Sequence, residues 1–404
     1  MCLPEDKLWV EKLLPHKRAE VAPVDRQSEG ITRTMTNTSD ATPIPRRHPT
    51  RTVTLGGVPL GSAHPIRVQS MTNTDTRDAE ATIRQISELV EAGCEFVRLA
   101  VPDENAAQVL PAIQSAAPVP LIADIHFDHR LALKALEAGL QGLRINPGNI
   151  GSKTYVDRVV DAASANGACI RIGVNGGSLE KELLQKYGGA TPEAMVESAL
   201  GHAVLLEKRG FGNFKISLKS SSVPRTIAAY RLLAARLDCP LHVGITEAGT
   251  LLRGAVKSGV GLGILLWEGL GDTLRVSLTA DPVLEVRAAW EILRSLGLRQ
   301  RGPEIISCPT CGRTEIDLQD LAEEVERRLA GVTDVFTVAV MGCVVNGPGE
   351  AREADIGLAG GRDCGLIFSR GEILRKVRGR DELLPEFMRE LEAFLVERRA
   401  GGDQ

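Results

Sequence analysis

From Arg51 onward, short apolar runs alternate with stretches whose apolar residues recur at helical spacing. The first run, Ile66–Ser70, leads into a polar turn ending at Asp78, a residue suited to capping a helix. Ile83, Ile86, Leu89 and Val90 then mark one helical face, and Gly93 stops it before a second run, Glu95–Val101. The same unit recurs with strands expected at Pro120–Ile125, Gln141–Asn146, Ala168–Asn175, Asn213–Lys219, Pro240–Thr246 and Thr273–Leu278, eight in all. Glycines at 93, 139, 167 and 210 stand where a helix would end in a left-handed residue. Most runs are apolar throughout, as strands covered on both faces should be.

Eight even units over roughly 240 residues predict a TIM (β/α)8 barrel. An open doubly wound sheet fits less well, because no glycine fingerprint follows the first strand. The longest gap, between the fifth and sixth strands, holds Gly176-Gly177-Ser178 and Gly188-Gly189 and predicts an enlarged loop. After Trp290–Leu296 the pattern changes, and Gly302-Pro303 marks a boundary. The remainder predicts a small α/β domain: a helix over Leu318–Leu329, strands at Phe336–Met341, Asp355–Leu358 and Leu366–Phe368, and a charged helix from Glu382 to Arg399. The expected domains are therefore 1–48, a flexible extension with a short helix at Leu8–Leu14; 49–299, the barrel; and 300–404, the small domain. Met35 reads as a candidate alternative start.

Composition narrows the class. The chain has 404 residues and a formal net charge of -4, which argues against bulk nucleic-acid binding. No apolar run approaches the ~18 residues of a membrane span. Glu5 and Asp6 with no apolar h-region argue against a secretory signal, so a cytoplasmic protein is expected. Eight cysteines in such a chain are not expected to form a disulfide framework. Cys94, Cys169 and Cys239 lie among apolar neighbours and read as small buried hydrophobes.

The strand ends carry the candidate chemistry, since in such a barrel they face the active site. Arg98, Asp124, His126, Arg144, Asn146, Asn149, Arg171, Asn175, Lys215, Ser217, Lys219, His242, Thr246, Glu247, Arg275 and Ser277 all fall there. Residues two apart share a face, so Lys215, Ser217 and Lys219 point one way, as do Arg275 and Ser277. Buried charge costs several kcal/mol unless paired, so a set of inward cations predicts a polyanionic ligand, most simply a diphosphate. Any single arginine reads about as well as a structural partner of Asp124, Glu247 or another carboxylate; the set favours the ligand. His126 and His242 are individually weak signals, and His129 reads as the start of a helix.

The second constellation is thiol-rich. Cys308 and Cys311 form C-x-x-C, Cys343 follows 32 residues later, and Glu350 lies seven beyond that across Asn346-Gly347-Pro348-Gly349. No histidine follows His242, which disfavours a structural zinc site of the ordinary cysteine–histidine kind. Three cysteines on an iron–sulfur cluster would leave one iron with a weaker, displaceable ligand. Spacing alone does not choose between Glu350 and Cys364 as the fourth ligand.

Eight stretches carry a resemblance: Val68–Thr74, Ala123–Phe127, Arg144–Gly151, Arg171–Leu179, Gly244–Gly249, Gly271–Thr279, Cys308–Arg313 and Met341–Glu350. Together they resemble the bacterial 4-hydroxy-3-methylbut-2-enyl diphosphate synthase family (IspG/GcpE), over about residues 50–400. The resemblance implies two-electron reductive ring opening of 2-C-methyl-D-erythritol 2,4-cyclodiphosphate in the non-mevalonate isoprenoid pathway. It implies a [4Fe-4S] cluster on Cys308, Cys311, Cys343 and Glu350, with no role for Cys364. It also implies a homodimer, the cluster domain of one subunit closing over the barrel of the other, and reduced flavodoxin or ferredoxin as electron donor. On this reading Arg98, Arg144, Arg171, Lys215 and Arg275 neutralise the diphosphate, with Asp124, Asn149, Asn175, Ser217 and Asn346 as further contacts. Glu350 gates the cluster, and Glu247, or else His242, supplies a proton. The rival readings are a zinc-stabilised phosphate-binding scaffold and a barrel aldolase or synthase acting on a sugar phosphate. In the latter, Lys215 or Lys219 would form a Schiff base beside a structural zinc domain.

Overall fold

The structure is a computed structural model describing residues 46–146, 149–343, 351–362 and 364–401. The expected helix at Leu8–Leu14, Met35, Asn346 and Glu350 lie outside the described residues.

A short antiparallel hairpin comes first: β1 (Val53–Leu55) and β2 (Val58–Leu60), paired Val53 to Leu60. Eight parallel strands follow: β3 (Arg67–Met71), β4 (Phe96–Ala100), β5 (Leu121–Asp124), β6 (Gly142–Ile145), β7 (Cys169–Asn175), β8 (Phe214–Lys219), β9 (His242–Val243) and β10 (Thr273–Leu274). Every expected barrel strand is present. The sheet runs β8-β7-β6-β5-β4-β3-β10-β9. A single bridge, Ile216 to Leu241, with the Ile216 N–H donating to the Pro240 carbonyl at 3.0 Å, closes it between β8 and β9. The last two strands are shorter than their apolar text suggests, two residues each.

Helices cover the barrel: α1 (Ala79–Glu91), α2 (Glu104–Ala116), α3 (His129–Glu137), α4 (Lys153–Ala165), α5 (Lys181–Tyr187), α6 (Pro192–Glu207), α7 (Val223–Ala234), α8 (Leu251–Trp267) and α9 (Pro282–Ser295). Asp78, Asp103 and Asp128 cap the first three through side-chain oxygens, satisfying backbone N–H groups that no helical turn can reach. The outward strand residues, among them Val97, Leu99, Leu143 and Ile170, form one core with the helices. The enlarged loop expected after the fifth strand is partly helical: a 3₁₀ turn at Gly176–Ser178, then α5, precede α6.

The hairpin has no counterpart in the repeated units. Val53, Leu55 and Leu60 pack against Phe96, Ile122 and Cys169, inward residues near the strand starts, and so stopper that end of the barrel. Polar inward side chains beyond this plug belong to the other end.

The C-terminal region has its own sheet, ordered β11 (Glu304–Ser307), β12 (Thr337–Met341), β13 (Ile356–Ala359), β14 (Cys364–Ser369) and β15 (Glu372–Arg378). The first three strands are parallel and the last two antiparallel. Helices α10 (Leu318–Leu329) and α11 (Arg380–Gly401) supply Leu318, Val325, Leu329, Leu383, Phe387 and Leu391 to one face. The opposite face carries a thinner cluster: Ala339, Met341, Ala359 and Phe368 with Ala351 and Ala354. Among the described residues no helix is long and apolar enough to cross a membrane.

Candidate active site

The inward positions of the barrel beyond the plug form a cationic chamber. Asp124, on β5, accepts from Arg144 of β6 at 3.1 Å and lies 3.6 Å from Arg98 of β4 and from His126. Burial opposes ionisation of Asp124, but Arg98, His126 and Arg144 together hold its carboxyl well below the usual carboxylate range. Arg275, beyond β10, is gripped by Glu285 of α9, donating from Nε at 3.0 Å and from Nη2 at 3.1 Å. Glu285 also accepts from Ser70 Oγ and from the Leu278 N–H, both at 2.9 Å. This carboxylate holds β3, the segment after β10 and Arg275 together. The sequence reading missed it because it sits on a helix, where a Glu among helical residues carries no signal.

Arg171, on β7, is almost completely buried and donates to Ser217 Oγ at 2.7 Å. Its Nε and Nη2, and Arg144 Nε, are buried with no hydrogen-bond partner. Burial, then Arg98 and Arg144, push the Arg171 pKa well below its ordinary value. Arg98 is pulled down to about 10 by burial, and it and Arg275 turn toward the sulfur of Met71, at 2.9 Å and 3.5 Å respectively. A thioether is a weak acceptor for two guanidinium groups. In all, Arg98, Arg144, Arg171, Lys219 and Arg275 face Asp124 and Glu285, five basic side chains against two carboxylates, while Lys215 beneath them feels Asp272.

Two inward glycines make this crowding possible. A Cβ at Gly173 would come within 2.6 Å of Arg144 Nε, and one at Gly244 within 2.7 Å of Lys219 Nζ. Any side chain there would displace a cation.

The two lysines of β8 differ in depth. Lys215 lies over the Phe96 ring, 5.5 Å from its centroid, and donates to Thr273 Oγ1 at 3.4 Å. Phe96 belongs to the plug, so Lys215 is a floor residue beneath Arg171, and burial holds it at about 8. Lys219 is four residues nearer the strand end and level with Asn175. Lys219 Nζ lies 3.3 Å from His242 Nε2, and His242 Nδ1 lies 2.9 Å from Thr273 Oγ1. Burial, then the nearby cations, drive both Lys219 and His242 well below their ordinary pKa values. His242 is therefore a neutral, fully enclosed ring, further pinned where its carbonyl accepts from Tyr230 Oη at 2.5 Å.

Glu247 is different. It is exposed, and its backbone is left-handed, with φ of +52°, a conformation that costs a non-glycine residue about 1 kcal/mol or more. Asn149 and Asn175 are half-buried at the ends of β6 and β7, and the Asn149 N–H donates to the Asn146 carbonyl at 2.8 Å.

In the C-terminal sheet, Cys308 follows β11 and Cys343 follows β12, adjacent parallel strands. The Cys308 sulfur accepts from the Gly342 N–H at 3.2 Å, next to Cys343. Cys311 is exposed, and a backbone bond from Arg313 lowers its thiol pKa. All three thiols are free and accessible, unlike Cys94, Cys169 and Cys239, which are buried and pushed up to about 11 or 12. Among the described residues, no group of three or more His, Cys, Asp or Glu side chains is gathered closely enough to hold one ion. Soft, solvent-reachable thiols at the ends of neighbouring strands nonetheless suit an iron–sulfur group. Cys364 opens β14 at the same end of the sheet, with β13 between it and the Cys343 strand.

Comparison with known proteins places these features together. The family described as the GcpE TIM-barrel domain matches residues 50–290, and the GcpE protein C-terminal domain matches residues 304–393. A 4-hydroxy-3-methylbut-2-en-1-yl diphosphate synthase (flavodoxin) of Maridesulfovibrio salexigens is 71% identical over 353 residues, covering 87% of this chain and 99% of its own. The proteins of the same name from Nitratidesulfovibrio vulgaris and Geobacter sulfurreducens are 67% and 62% identical, covering 88% and 86% of this chain and 92% and 99% of their own. With both regions matched in order, the chain belongs to the GcpE family of 4-hydroxy-3-methylbut-2-en-1-yl diphosphate synthases and is an enzyme.

Proposed function

We propose that the cationic chamber binds 2-C-methyl-D-erythritol 2,4-cyclodiphosphate and that the enzyme opens its ring to 4-hydroxy-3-methylbut-2-enyl diphosphate. Written as neutral acids, the substrate takes up two electrons and two protons. The ring C–O bond to the diphosphate breaks, and one hydroxyl leaves as water. One observation carries this reading: five inward basic side chains face two carboxylates, and three guanidinium nitrogens of Arg144 and Arg171 lack a hydrogen-bond partner. A diphosphate supplies the missing charge and acceptors.

Arg144, Arg171, Lys219 and Arg98 would hold the diphosphate, with Arg275, Asn149, Asn175 and Ser217 around it and Lys215 adding positive charge from the floor. Asp124 and Glu285 fix the guanidinium groups beforehand, so little reorganisation accompanies binding. A bound anion would offset the depression of the Lys219 pKa that burial and the nearby arginines cause. Cys308, Cys311, Cys343 and Glu350 would hold a [4Fe-4S] cluster, which when bound supplies electrons and a Lewis-acidic iron beside the substrate. Glu247, exposed at the barrel rim, is the better placed proton donor; His242 is enclosed and neutral.

The reaction needs a thiol centre brought to a barrel mouth, and a homodimer in which each cluster domain serves the other barrel meets that need. Helix α8 supports it. Leu252, Val256, Val260, Ile264 and Trp267 form an exposed apolar stripe, and Cβ atoms at Gly259 and Gly263 would meet open space. A second copy's α8, related by a twofold axis, is self-complementary to such a face. Reduced flavodoxin, which the relatives' names carry, is the proposed electron donor, in the cytoplasm.

The depressed lysine pKa of Lys219 also suits a Schiff-base aldolase. Anaerobic purification with iron, sulfide and zinc analysis separates the two. Iron and sulfide near four each per chain, with absorbance near ~400 nm, are expected of the cluster. Zinc without iron, together with borohydride trapping of a sugar phosphate on Lys219, would replace the reductase reading.

A further inference from the structure

The C-terminal sheet ends in a strand whose character nothing above uses. β15 pairs with β14 alone among the described residues, leaving its outer edge open. Six of its seven residues are exposed, Val377 being buried. Natural edge strands are usually shortened or covered, and a long open one invites a partner.

Register fixes which way its side chains face. Lys376 lies opposite Leu366, and Arg378 opposite Cys364. Leu366 in turn pairs with Ala359, and Ala359 with Met341, which neighbours Cys308 on the thinly covered face. Directly paired residues share a face. Lys376 and Arg378 therefore stand on the thinly covered face of the sheet, while α10 and α11 occupy the other; Cys308, at the strand end, packs against residues of both.

Charge distinguishes these residues from their neighbours. Arg375, on the helix side, is neutralised by Glu386 at 2.8 Å and Glu390 at 2.7 Å. Lys376, Arg378 and the exposed Arg352, whose stem lies against Gly371 of the β14–β15 turn, have no ion pair among the described residues. The strand's own carboxylate is Glu372 alone. Beside them Ile373 and Leu374 are more than half exposed. The whole chain is net negative, so this basic and apolar strip is not a consequence of composition.

We propose that the β15 edge, through Arg352, Lys376, Arg378, Ile373 and Leu374, is the docking surface for an acidic protein that delivers electrons one at a time to the thiol centre. The inference rests on the cluster assignment made above. An apolar pair followed along the same strand by uncompensated cations fits a partner with acidic residues beside an apolar redox group. β15 stands three strands from β12, about 15 Å at the usual strand spacing, so a partner seated here approaches Cys343 from the side. The end of the sheet stays free to meet a barrel.

The test compares two reductants on the anaerobically prepared holoenzyme. Turnover of the cyclic diphosphate is followed with reduced flavodoxin and, separately, with reduced methyl viologen. Lys376→Glu and Arg378→Glu should each raise the KM for flavodoxin roughly tenfold, steepest at low salt, with viologen turnover, iron content and substrate KM unchanged. Leu374→Ser, which changes no charge, should raise the flavodoxin KM without altering its salt dependence. An unchanged flavodoxin KM in all three variants overturns the proposal, as does an equal loss with both reductants or a shift in substrate KM. Absence of turnover by the parent enzyme with either reductant overturns the reading beneath it.

Discussion

Replacing Arg171 with methionine separates what the chamber costs from what it does. Arg171 is a buried cation whose Nε and Nη2 have no partner and whose nearest charges include Arg98 and Arg144. Replacing a buried ion pair by apolar side chains of similar volume is often neutral or stabilising by about 1–4 kcal/mol, and Arg171, with no ion pair among the described residues, carries a like desolvation cost. Against this stands the lost bond to Ser217 Oγ, a charged hydrogen bond contributing roughly 1.5–3 kcal/mol. Ser217 keeps its bond to the Ile172 carbonyl, so no donor is stranded. The ligand-free Arg171→Met protein should therefore lie within about 2 kcal/mol of the parent's stability, in either direction. Diphosphate binding should fall by at least about 2 kcal/mol, some thirtyfold, because a desolvated partner of the anion is gone. Urea denaturation followed by the fluorescence of buried Trp290 gives the first quantity. Calorimetric titration with inorganic pyrophosphate and with the cyclic diphosphate gives the second. A variant destabilised by more than about 2 kcal/mol that binds pyrophosphate as well as the parent would refute the reasoning, since Arg171 would then be a structural ion.

Lys215 provides a pH signature. Burial holds it at about 8 against an ordinary 10.5, so the unfolded chain binds more protons between those values and its penalty on the ligand-free fold is relieved as pH rises through them. The buried thiols act in the opposite sense above pH 9, so the lysine is isolated by comparison: the parent's urea midpoint, relative to that of Lys215→Met, should rise from pH 7.5 to 9. A constant difference would place Lys215 in a wetter site. Each of Cys308→Ala, Cys311→Ala, Cys343→Ala and Glu350→Ala should abolish turnover, whereas Cys364→Ala should keep both turnover and the visible spectrum; loss of iron in the latter would reassign the fourth ligand. Val256→Glu with Val260→Glu on α8 should convert the proposed dimer to a monomer in sedimentation and lower turnover by at least about tenfold, because burying two unpaired carboxylates across an interface costs several kcal/mol. A variant that stays dimeric would move the interface elsewhere.

All eight barrel strands were legible because each is an apolar run between turn signals, and a covered parallel strand has no other way to read. Their ends were less so. Pro240–Thr246 contributes only His242–Val243 because Gly244 lets the backbone pass Lys219, after which Glu247 turns into the left-handed region. Period-two alternation placed Lys215, Ser217 and Lys219 on one face, but not their depth. The plug that makes Lys215 a floor residue comes from a six-residue hairpin, Val53–Leu60 without its turn, too short to stand out. Glu285 and Tyr230, which hold the chamber in shape, lie on helices where their spacing reads as ordinary amphipathic text. Strands β11 and β15 were missed because they sit at the edges of their sheet, where exposed and charged residues replace the apolar run. The C-x-x-C pair and the later cysteine were plain from sequence, but the choice between Glu350 and Cys364 needed the family resemblance, since both follow Cys343 at loop-compatible spacing.

The central claim is that this chamber presents a cyclic diphosphate for two-electron opening. Its most direct test is product analysis after the anaerobically prepared enzyme, supplied with an excess of reduced flavodoxin, is mixed with 2-C-methyl-D-erythritol 2,4-cyclodiphosphate. Mass spectrometry should show 4-hydroxy-3-methylbut-2-enyl diphosphate, one equivalent for every two flavodoxins oxidised, and much less from the Arg171→Met enzyme at substrate concentrations that just saturate the parent. Unchanged substrate with full cluster content, or equal product from the Arg171→Met enzyme, would contradict it.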